Sequence, residues 1–254
     1  MLVATWNVNS LNARIERVTD WLADVSPDVV FLQETKMADD AFPALRFKEL
    51  GYDSVHAGEG RWNGVAILSR VGLDDPVFEF GPELSTDARI VGATCDGVKA
   101  YSVYVPNGRA LDDDHYQFKL RWLAELKELI GSDLKAGQDL IIAGDWNVAP
   151  EDKDVWDVAA FEGATHVTSQ ERDAIGELID LGLVDVFRQQ HPEDKLYSYY
   201  DYQAGRFHKR EGIRIDYVLA SAELAEKAEL NLVDRNARKG TKPSDHAPVL
   251  AYFG

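Results

Sequence analysis

The sequence is poor in cysteine, in long apolar runs and in basic residues. Cys95 is the single cysteine among 254 residues, which excludes an internal disulfide framework and fits a reducing compartment. No run of about 18 apolar residues occurs, so a membrane span is excluded. The first ten residues, MLVATWNVNS, lack a basic stretch followed by an apolar one. We therefore expect no secretory signal and a cytoplasmic protein.

The shortage of basic residues leaves a large negative charge. Lys and Arg number 27 against 44 Asp and Glu, a formal net charge of −17. Such acidity argues against a general nucleic-acid binder, because attachment to phosphates is electrostatic. The charge is uneven, however, since residues 203–242 hold nine basic and six acidic residues and thus carry +3. Overall acidity therefore limits non-specific affinity for nucleic acid without excluding a local basic contact.

What the sequence does contain is enough apolar residues, 45% of the total, for a sizeable core. No linker composition or internal repeat divides the chain, so we expect a single catalytic domain over residues 1–254. Short apolar, β-branched runs bounded by turn residues predict strands. These runs are residues 2–6, 29–32, 64–68, 89–94, 98–105, 140–143, 213–219 and 248–253.

Helical periodicity appears between some of these strands. Apolar residues recur every three to four positions over residues 11–25 and 116–130, which predicts two amphipathic helices. Thr168 and Glu171 have the spacing of a capping box and predict the start of a third helix. Many strands with few helices favour an α/β fold, a four-layer α/β sandwich in which two packed mixed β-sheets are flanked by helices.

Unusual polar residues stand where predicted strands end. Asn7 and Asn9, like Asp145 and Asn147, are two residues apart and are expected on one side of an extended chain. Any one such residue is usually a cap or turn former. Several together predict an oxygen-rich site suited to Mg²⁺ or Mn²⁺ if the strand ends converge. The further members of this set are Glu34, Asp216, Asp245 and His246.

The motifs that contain these residues resemble one family. TWNVNS, LQETK, YVPNG, GDWNVAP, RIDYVLAS and SDHAPV occur in the order found in the exonuclease III family of AP endonucleases, of the endonuclease/exonuclease/phosphatase superfamily, and span residues 5–249. The resemblance implies Mg²⁺-dependent incision of duplex DNA 5′ to abasic sites, with removal of blocked 3′ ends and 3′→5′ exonuclease activity. It also implies a monomer that works at the nucleoid.

The resemblance assigns roles to the strand-end residues. Glu34 would bind the ion directly, helped by Asn7, Asn9 and Asp245. Asp145 would orient or deprotonate the attacking water, Asn147 would hold the water or the phosphate, and both stand close enough to contribute to the metal site. His246 would contact a phosphate oxygen, with Asp216 fixing its tautomer, and Tyr104 would reach the scissile phosphate. The choice of general base between Asp145 and the Asp216–His246 pair stays open, as does the number of metal ions.

Other residues are candidates for DNA contact. Arg61 and Trp62 stand on a predicted loop, and Asn107 follows Tyr104 in YVPN. By resemblance, Tyr199 and Tyr200 wall a pocket for the abasic deoxyribose. The remaining candidates are Gln203, which stands where bacterial relatives commonly carry Arg, then Arg206, and the apolar Ile213 and Ile215.

Two other functions are compatible with the same motifs. The first is hydrolysis of another phosphoester, such as an inositol phosphate, a sphingolipid or RNA. The AP-type aromatic segment and RIDYVLAS argue against it. The second is a binding module that has lost catalysis, which is disfavoured because every expected polar position holds a competent residue.

Overall fold

Two six-stranded β-sheets pack face to face in the computed structural model, which describes residues 1–254. In chain order the elements are β1 (Leu2–Asn7), α1 (Leu11–Val25), β2 (Val29–Gln33), α2 (Ala44–Glu49), β3 (Asp53–Ala57), β4 (Val65–Ser69), β5 (Asp74–Val77), β6 (Ile90–Cys95), β7 (Val98–Tyr104), α3 (Asp114–Lys135), β8 (Leu140–Asp145), α4 (Ser169–Asp180), β9 (Leu183–Asp185), α5 (Val186–Gln190), α6 (Arg206–Lys209), β10 (Asp216–Ser221), α7 (Ala222–Ala225), β11 (Ala228–Val233) and β12 (Val249–Phe253).

Both sheets are mixed and are built around one parallel pair. The first has the order β11-β12-β1-β2-β4-β3 and the second β5-β6-β7-β8-β10-β9. In the first sheet β1 and β2 are parallel and joined by α1, and in the second β7 and β8 are parallel and joined by α3. All other neighbouring strands are antiparallel. In each sheet the carboxyl ends of the two parallel strands therefore lie side by side at the same end of the sheet, and the residues there place their side chains close together.

Apolar side chains form three layers of core. Between the sheets, Phe31 and Ile67 of the first pack with Val218 of the second. On the outer faces, α1 and α2 cover the first sheet, and α3 and α4 cover the second. The layer order is helix, sheet, sheet, helix, and it confirms the predicted four-layer sandwich.

The predicted helices are present. The first spans Leu11–Val25 and begins after Ser10, whose Oγ accepts a hydrogen bond from the Ala13 amide. At the start of α4, the side chains of Thr168 and Glu171 each accept from the other residue's backbone amide, so the predicted capping box is confirmed. None of the helices combines the length and apolar composition that crossing a membrane requires.

The strand predicted over residues 213–219 begins later, at Asp216. Arg214 is the reason, because its buried guanidinium donates to Asp154 at 2.6 Å and to Asp185 at 2.7 Å. These ion pairs hold the preceding segment against neighbouring loops. Ile213 forms isolated bridges with Val155 and Tyr199 instead of joining the ladder.

Candidate active site

Polar side chains from both sheets meet at one end of the sandwich. Asn7 ends β1, and its Nδ2 donates to Glu34 Oε1 and to Asp145 Oδ2, both at 2.8 Å. Asp145 ends β8 and lies opposite Asp216, the first residue of β10. The predicted convergence of the strand ends is therefore present.

The backbone turns sharply after each of these strands. Asn9, Glu34 and Asn147 have φ of 42°, 51° and 50°, in the left-handed region that non-glycine residues seldom adopt. The Asn7 side chain accepts from the Asn9 amide at 2.9 Å, and that of Asp145 accepts from the Asn147 amide at 3.0 Å. The expectation of an extended chain through these pairs is thus wrong, because a side-chain-capped turn brings each pair together.

Glu34 forms an ion pair with Lys36. Lys36 Nζ is 2.7 Å from Glu34 Oε2 and 2.6 Å from Asn9 Oδ1. Burial alone would raise the pKa of Glu34, but Lys36 and Asn7 outweigh burial and lower it. Asn9 Nδ2 donates to Asp245 Oδ1 at 3.1 Å, which extends the cluster to the loop before β12.

His246 and Asp216 form a buried pair beside this cluster. His246 Nδ1 donates to Asp216 Oδ2 at 2.8 Å, and Nε2 lies 3.8 Å from Asp145 Oδ2. Burial opposes protonation of the imidazole, but Asp216 and Asp145 prevail and raise the pKa of His246 to about 10. For Asp145, burial is the main cause that raises its pKa to about 7.

Tyr104 ends β7 opposite Asp145 of β8, and Asn107 stands on the loop that follows. Asn107 Nδ2 donates to Asn147 Oδ1 at 3.1 Å, and Asn147 Nδ2 donates to the Val105 carbonyl at 2.9 Å. The Arg89 guanidinium lies 4.7 Å from the centre of the Tyr104 ring. Burial, with the carboxylates of Glu34 and Asp145, raises the pKa of Tyr104, so its hydroxyl keeps its proton at neutral pH.

The donor set fits a hard divalent cation. Ligand atoms of Glu34, Asp145 and His246 lie within 4.8 Å of one another, and the Asn7 amide stands between the two carboxylates. Carboxylate and amide oxygens are the ligands that such ions prefer. The contact of Lys36 with Glu34 and Asn9 shows that these oxygens already hold a positive charge.

A cavity of about 250 Å³ opens next to His246. The ring of Tyr199 forms one wall and lies 5.0 Å from the His246 ring, centre to centre. The cavity is further lined by Trp156, Ala160, Phe161, His166, Asp201, Arg206, Glu211, Gly212 and Ile213. Tyr199, Arg206 and Ile213 of the predicted DNA contacts thus share one pocket.

The other predicted DNA contacts are placed outside this cavity. Tyr200 and Ile215 are each only 2% exposed and pack in the interior. Gln203 is exposed on a short turn. Arg61 and Trp62 are exposed on a loop whose Asn63 carbonyl accepts from the Lys36 amide at 2.9 Å, so this loop adjoins the turn after Glu34.

Sequence reasoning missed several residues at the site. Lys36 stands in the LQETK motif, where a lysine two residues after the acid is a detectable signal. Lys119 lies on the apolar face of the predicted helix over residues 116–130, three residues after Tyr116. Trp156, Phe161 and His166 reach the cavity from loops with no strand or helix pattern to place them.

Carboxylates from two packed sheets, joined by an amide and flanked by a buried His–Asp pair, define a metal-dependent phosphoester hydrolase. Comparison with known proteins agrees with this class. The model of the Endonuclease/Exonuclease/phosphatase family matches residues 4–246. The chain therefore belongs to this family and, within it, to the exonuclease III family of AP endonucleases.

Individual relatives cover the whole chain. Exodeoxyribonuclease III of Haemophilus influenzae is 31% identical in an alignment of 272 positions that covers 100% of this chain and 100% of the relative. The 3′ phosphatase NExo from Neisseria, solved with a product DNA hairpin, is 39% identical with a TM-score of 0.97. An AP endonuclease from Archaeoglobus fulgidus is 35% identical with a TM-score of 0.96. Both structural matches cover 100% of this chain and 99% of the other.

Proposed function

We propose that this protein is a Mg²⁺-dependent DNA-repair phosphodiesterase that incises duplex DNA 5′ to abasic sites and also cleans and shortens 3′ ends. The observation that carries the proposal is the link from Glu34 through Asn7 to Asp145, beside the His246–Asp216 pair. A 3′ phosphatase and an AP endonuclease among the relatives support the two activities. A monomer in the cytoplasm, at the nucleoid, completes the proposal.

The proposed metal site uses the oxygen ligands at the strand ends. Glu34 and Asp145 would bind Mg²⁺, or Mn²⁺ as a substitute, with direct or water-mediated contacts from Asn7, Asn9, Asn147 and Asp245. When bound, the ion neutralises charge on the phosphate and stabilises the leaving oxygen.

Asp145 is the proposed general base. In the metal-free site burial raises the pKa of this carboxylate, and a bound ion would lower it again, so that Asp145 would be ionised and able to accept a proton from water at neutral pH. The amides of Asn7 and Asn147 hold the two carboxylate oxygens in place. His246 is the better proton donor, because its pKa of about 10 keeps Nε2 protonated for a hydrogen bond to a phosphate oxygen.

Tyr104 and Asn147 complete the proposed phosphate contacts. The raised pKa of Tyr104 keeps a hydroxyl proton that can be donated to a phosphate oxygen. Asn107 and the Val105 carbonyl fix the Asn147 side chain by hydrogen bonds, so this amide is preorganised before substrate binds. The proposed reaction is metal-assisted hydrolysis in one step, with no covalent intermediate.

The cavity beside His246 is the proposed sugar site. Tyr199, Phe161 and Ile213 give it apolar walls, and Arg206 lines it as well, where it is paired with Glu211 at 3.4 Å. A deoxyribose without a base, or the sugar at a 3′ end, can enter where a stacked nucleotide cannot, which provides selectivity. Buried Tyr200 and Ile215 would support these walls from behind, while Arg61, Trp62, Asn107 and Gln203 would contact the duplex.

A cleavage assay with two DNA substrates tests the proposal. One duplex carries a single abasic-site analogue and the other a 3′-phosphate, each with Mg²⁺ or with chelator, and inositol phosphate and lipid substrates serve as alternatives. We expect Mg²⁺-dependent products from both duplexes. Product from the 3′-phosphate alone would overturn the abasic-site activity, and product from neither duplex would overturn the whole proposal.

Two matched Asp→Asn substitutions test whether Asp145 takes part in the reaction. Asp145→Asn removes the proposed base and a metal ligand, so we expect kcat to fall by about 10³-fold or more. Asp74→Asn makes the same change on the exposed edge strand β5 and should leave kcat unchanged. Equal activity of the two variants would rule out Asp145 as the base.

A further inference from the structure

A buried ion pair stands behind the active-site loops. Lys119 of α3 and Glu171 of α4 are both 0% exposed, and Lys119 Nζ lies 2.5 Å from Glu171 Oε1. Burial alone would lower the pKa of Lys119 and raise that of Glu171, and the mutual attraction of the two opposes both effects. Buried ion pairs usually contribute no more stability than an apolar pair of similar size. A reason other than stability is needed for their presence.

The contacts of Lys119 supply that reason. Its Nζ donates to the backbone carbonyl of Asn147 at 2.6 Å, and the carbonyl of Asn107 lies 3.4 Å away. The Asn147 carbonyl belongs to a left-handed turn outside the strand ladder, and its partners are two side chains, Lys119 and His166, whose Nδ1 lies 2.5 Å away. Lys119 thus holds, from behind, the backbone of two asparagines whose side chains face the site.

Glu171 closes the same network. Its Oε1 accepts from the His166 amide at 2.9 Å and from Thr165 Oγ1 at 2.5 Å, while Oε2 accepts from the Thr168 amide at 3.1 Å. Two connections are therefore tied to one charge pair: the loop after β7, and the connection from β8 to α4, which is held at both its ends. A shift of Asn147 would also release the hydrogen bond from its amide to Asp145.

We propose that Lys119, oriented by Glu171, is a positioning residue that fixes the Asn147 turn and thereby the side chains of Asn147 and Asp145 in their reactive geometry. This inference rests on the proposed function only for its kinetic readout. The two residues touch no substrate. They act through the Asn147 carbonyl, and a displacement of about 1 Å at a reacting group can lower a rate by about 100-fold.

Replacing the pair by apolar residues separates positioning from stability. The double variant Lys119→Met/Glu171→Leu leaves no unpaired buried charge, but it removes the carboxylate that accepts from the His166 and Thr168 amides. Its urea midpoint should therefore fall, but by less than that of Lys119→Met alone, and its kcat is measured at a temperature where the variant is fully folded. We expect its kcat to fall 30-fold to 100-fold, with KM for DNA and the Kd for Mn²⁺ changed less than threefold. The single variant Lys119→Met leaves Glu171 uncompensated and is expected to be less stable.

The matched control is the pair Lys127 and Glu177, which joins the same two helices at 2.9 Å on the surface. Lys127→Met/Glu177→Leu should keep kcat within twofold. A kcat within threefold of the unchanged protein in the Lys119→Met/Glu171→Leu variant, or a fall shared by the control, would overturn the inference.

A second readout does not depend on activity. The Asn147 side-chain amide donates to the Val105 carbonyl, so its NMR signals should be resolved and protected from solvent exchange. We expect the Lys119→Met/Glu171→Leu variant to lose this protection and the control pair to keep it. Retained protection in this variant would overturn the positioning role, whether or not the protein cleaves the assay substrates. Lost protection in a protein that cleaves none of the DNA substrates would support the positioning role and overturn only the proposed function.

Discussion

At the scale of single residues, His246 is the group whose charge depends most on its neighbours. Asp216 at 2.8 Å and Asp145 at 3.8 Å both favour the imidazolium. An imidazolium between two carboxylates stabilises the metal-free site, since burial of two unpaired carboxylates would be costly. Under the proposed function the same charge would also bind a phosphate oxygen, so that His246 would have a structural and a functional role.

This charge predicts a pH-dependent stability. The pKa of His246 is raised from 6.5 to about 10 on folding, so its contribution is complete below pH 6.5 and is lost as the pH rises through about 10. In chelator, we expect the free energy of unfolding to fall by about 2 kcal/mol more in the unchanged protein than in His246→Gln between pH 7.5 and 9.5. Urea titrations measure it, and parallel pH curves for the two proteins would contradict it.

At the scale of elements, the site depends on a close approach of β7 and β8. A side-chain Cβ at Gly144, one residue before Asp145, would lie 1.9 Å from the Val103 carbonyl oxygen. The backbone of Val103 cannot move aside as a flexible side chain could, because it is paired with β8. Only glycine at position 144 therefore allows β7 and β8 to pair here. In contrast, a Cβ at Gly176 within α4 would meet no atom within 4 Å.

Two glycine substitutions test this difference. Gly144→Ala should destabilise the protein by about 3 kcal/mol through overpacking and reduce kcat by displacing Asp145. Gly176→Ala should stabilise it by about 0.5–1 kcal/mol, because glycine is a poor helix former. Urea unfolding gives both values. A neutral Gly144→Ala would show that the strands can separate without loss.

Sequence patterns predict buried elements better than edges. The central strands β1, β2, β7 and β8 follow from β-branched apolar runs, and each is present. The edge strands β3, β5, β9 and β11 were not predicted. For example, β5 reads DDPV and is largely exposed, so it has neither an apolar run nor alternation to detect.

The site was predicted as a set but not in its local geometry. Strand ends place Asn7, Glu34 and Asp145 together because parallel strands end at the same edge. The left-handed turns at Glu34 and Asn147, and the contacts of Lys119, depend on tertiary packing. The position of Lys119 on the apolar face of its predicted helix indicates that it is buried, but it does not reveal which groups the ammonium contacts, so these features required the structure.

At the scale of the whole molecule, folding reduces the positive charge available to DNA. Residues 203–242 carry +3 by sequence. Arg214 and Arg238 within them are buried, Arg214 against two carboxylates and Arg238 against the Tyr200 carbonyl. Lys209 and Arg210 remain exposed beside the cavity. Under the proposed function, DNA affinity would therefore depend on local basic residues, on the metal and on the shape of the lesion more than on a general positive field.

We therefore expect weak binding to undamaged duplex at physiological salt. The variant Lys209→Gln/Arg210→Gln should reduce the slope of log affinity against log salt by about two for a duplex with one abasic-site analogue. The variant Lys135→Gln/Lys195→Gln removes two exposed charges elsewhere and should not change the slope. Fluorescence anisotropy measures both. Tight metal-free binding to intact DNA would contradict the expectation.

The hydrogen bonds of the Asn7 side chain also link the two sheets mechanically. Its amide nitrogen donates to Glu34, which follows β2 of its own sheet, and to Asp145 in the opposite sheet. It is thus a polar contact between two layers that meet mainly through apolar side chains and through the hydrogen bonds of Ser102 with Gln33 and the Leu32 carbonyl. A ligand that binds to Glu34 and Asp145 would strengthen this contact between the sheets. It should therefore oppose the separation of the two sheets as well as the opening of the loops at the site. Amide hydrogens in the middle of β1 and β8, far from the ion, should therefore exchange with solvent more slowly, and together, when the site is filled.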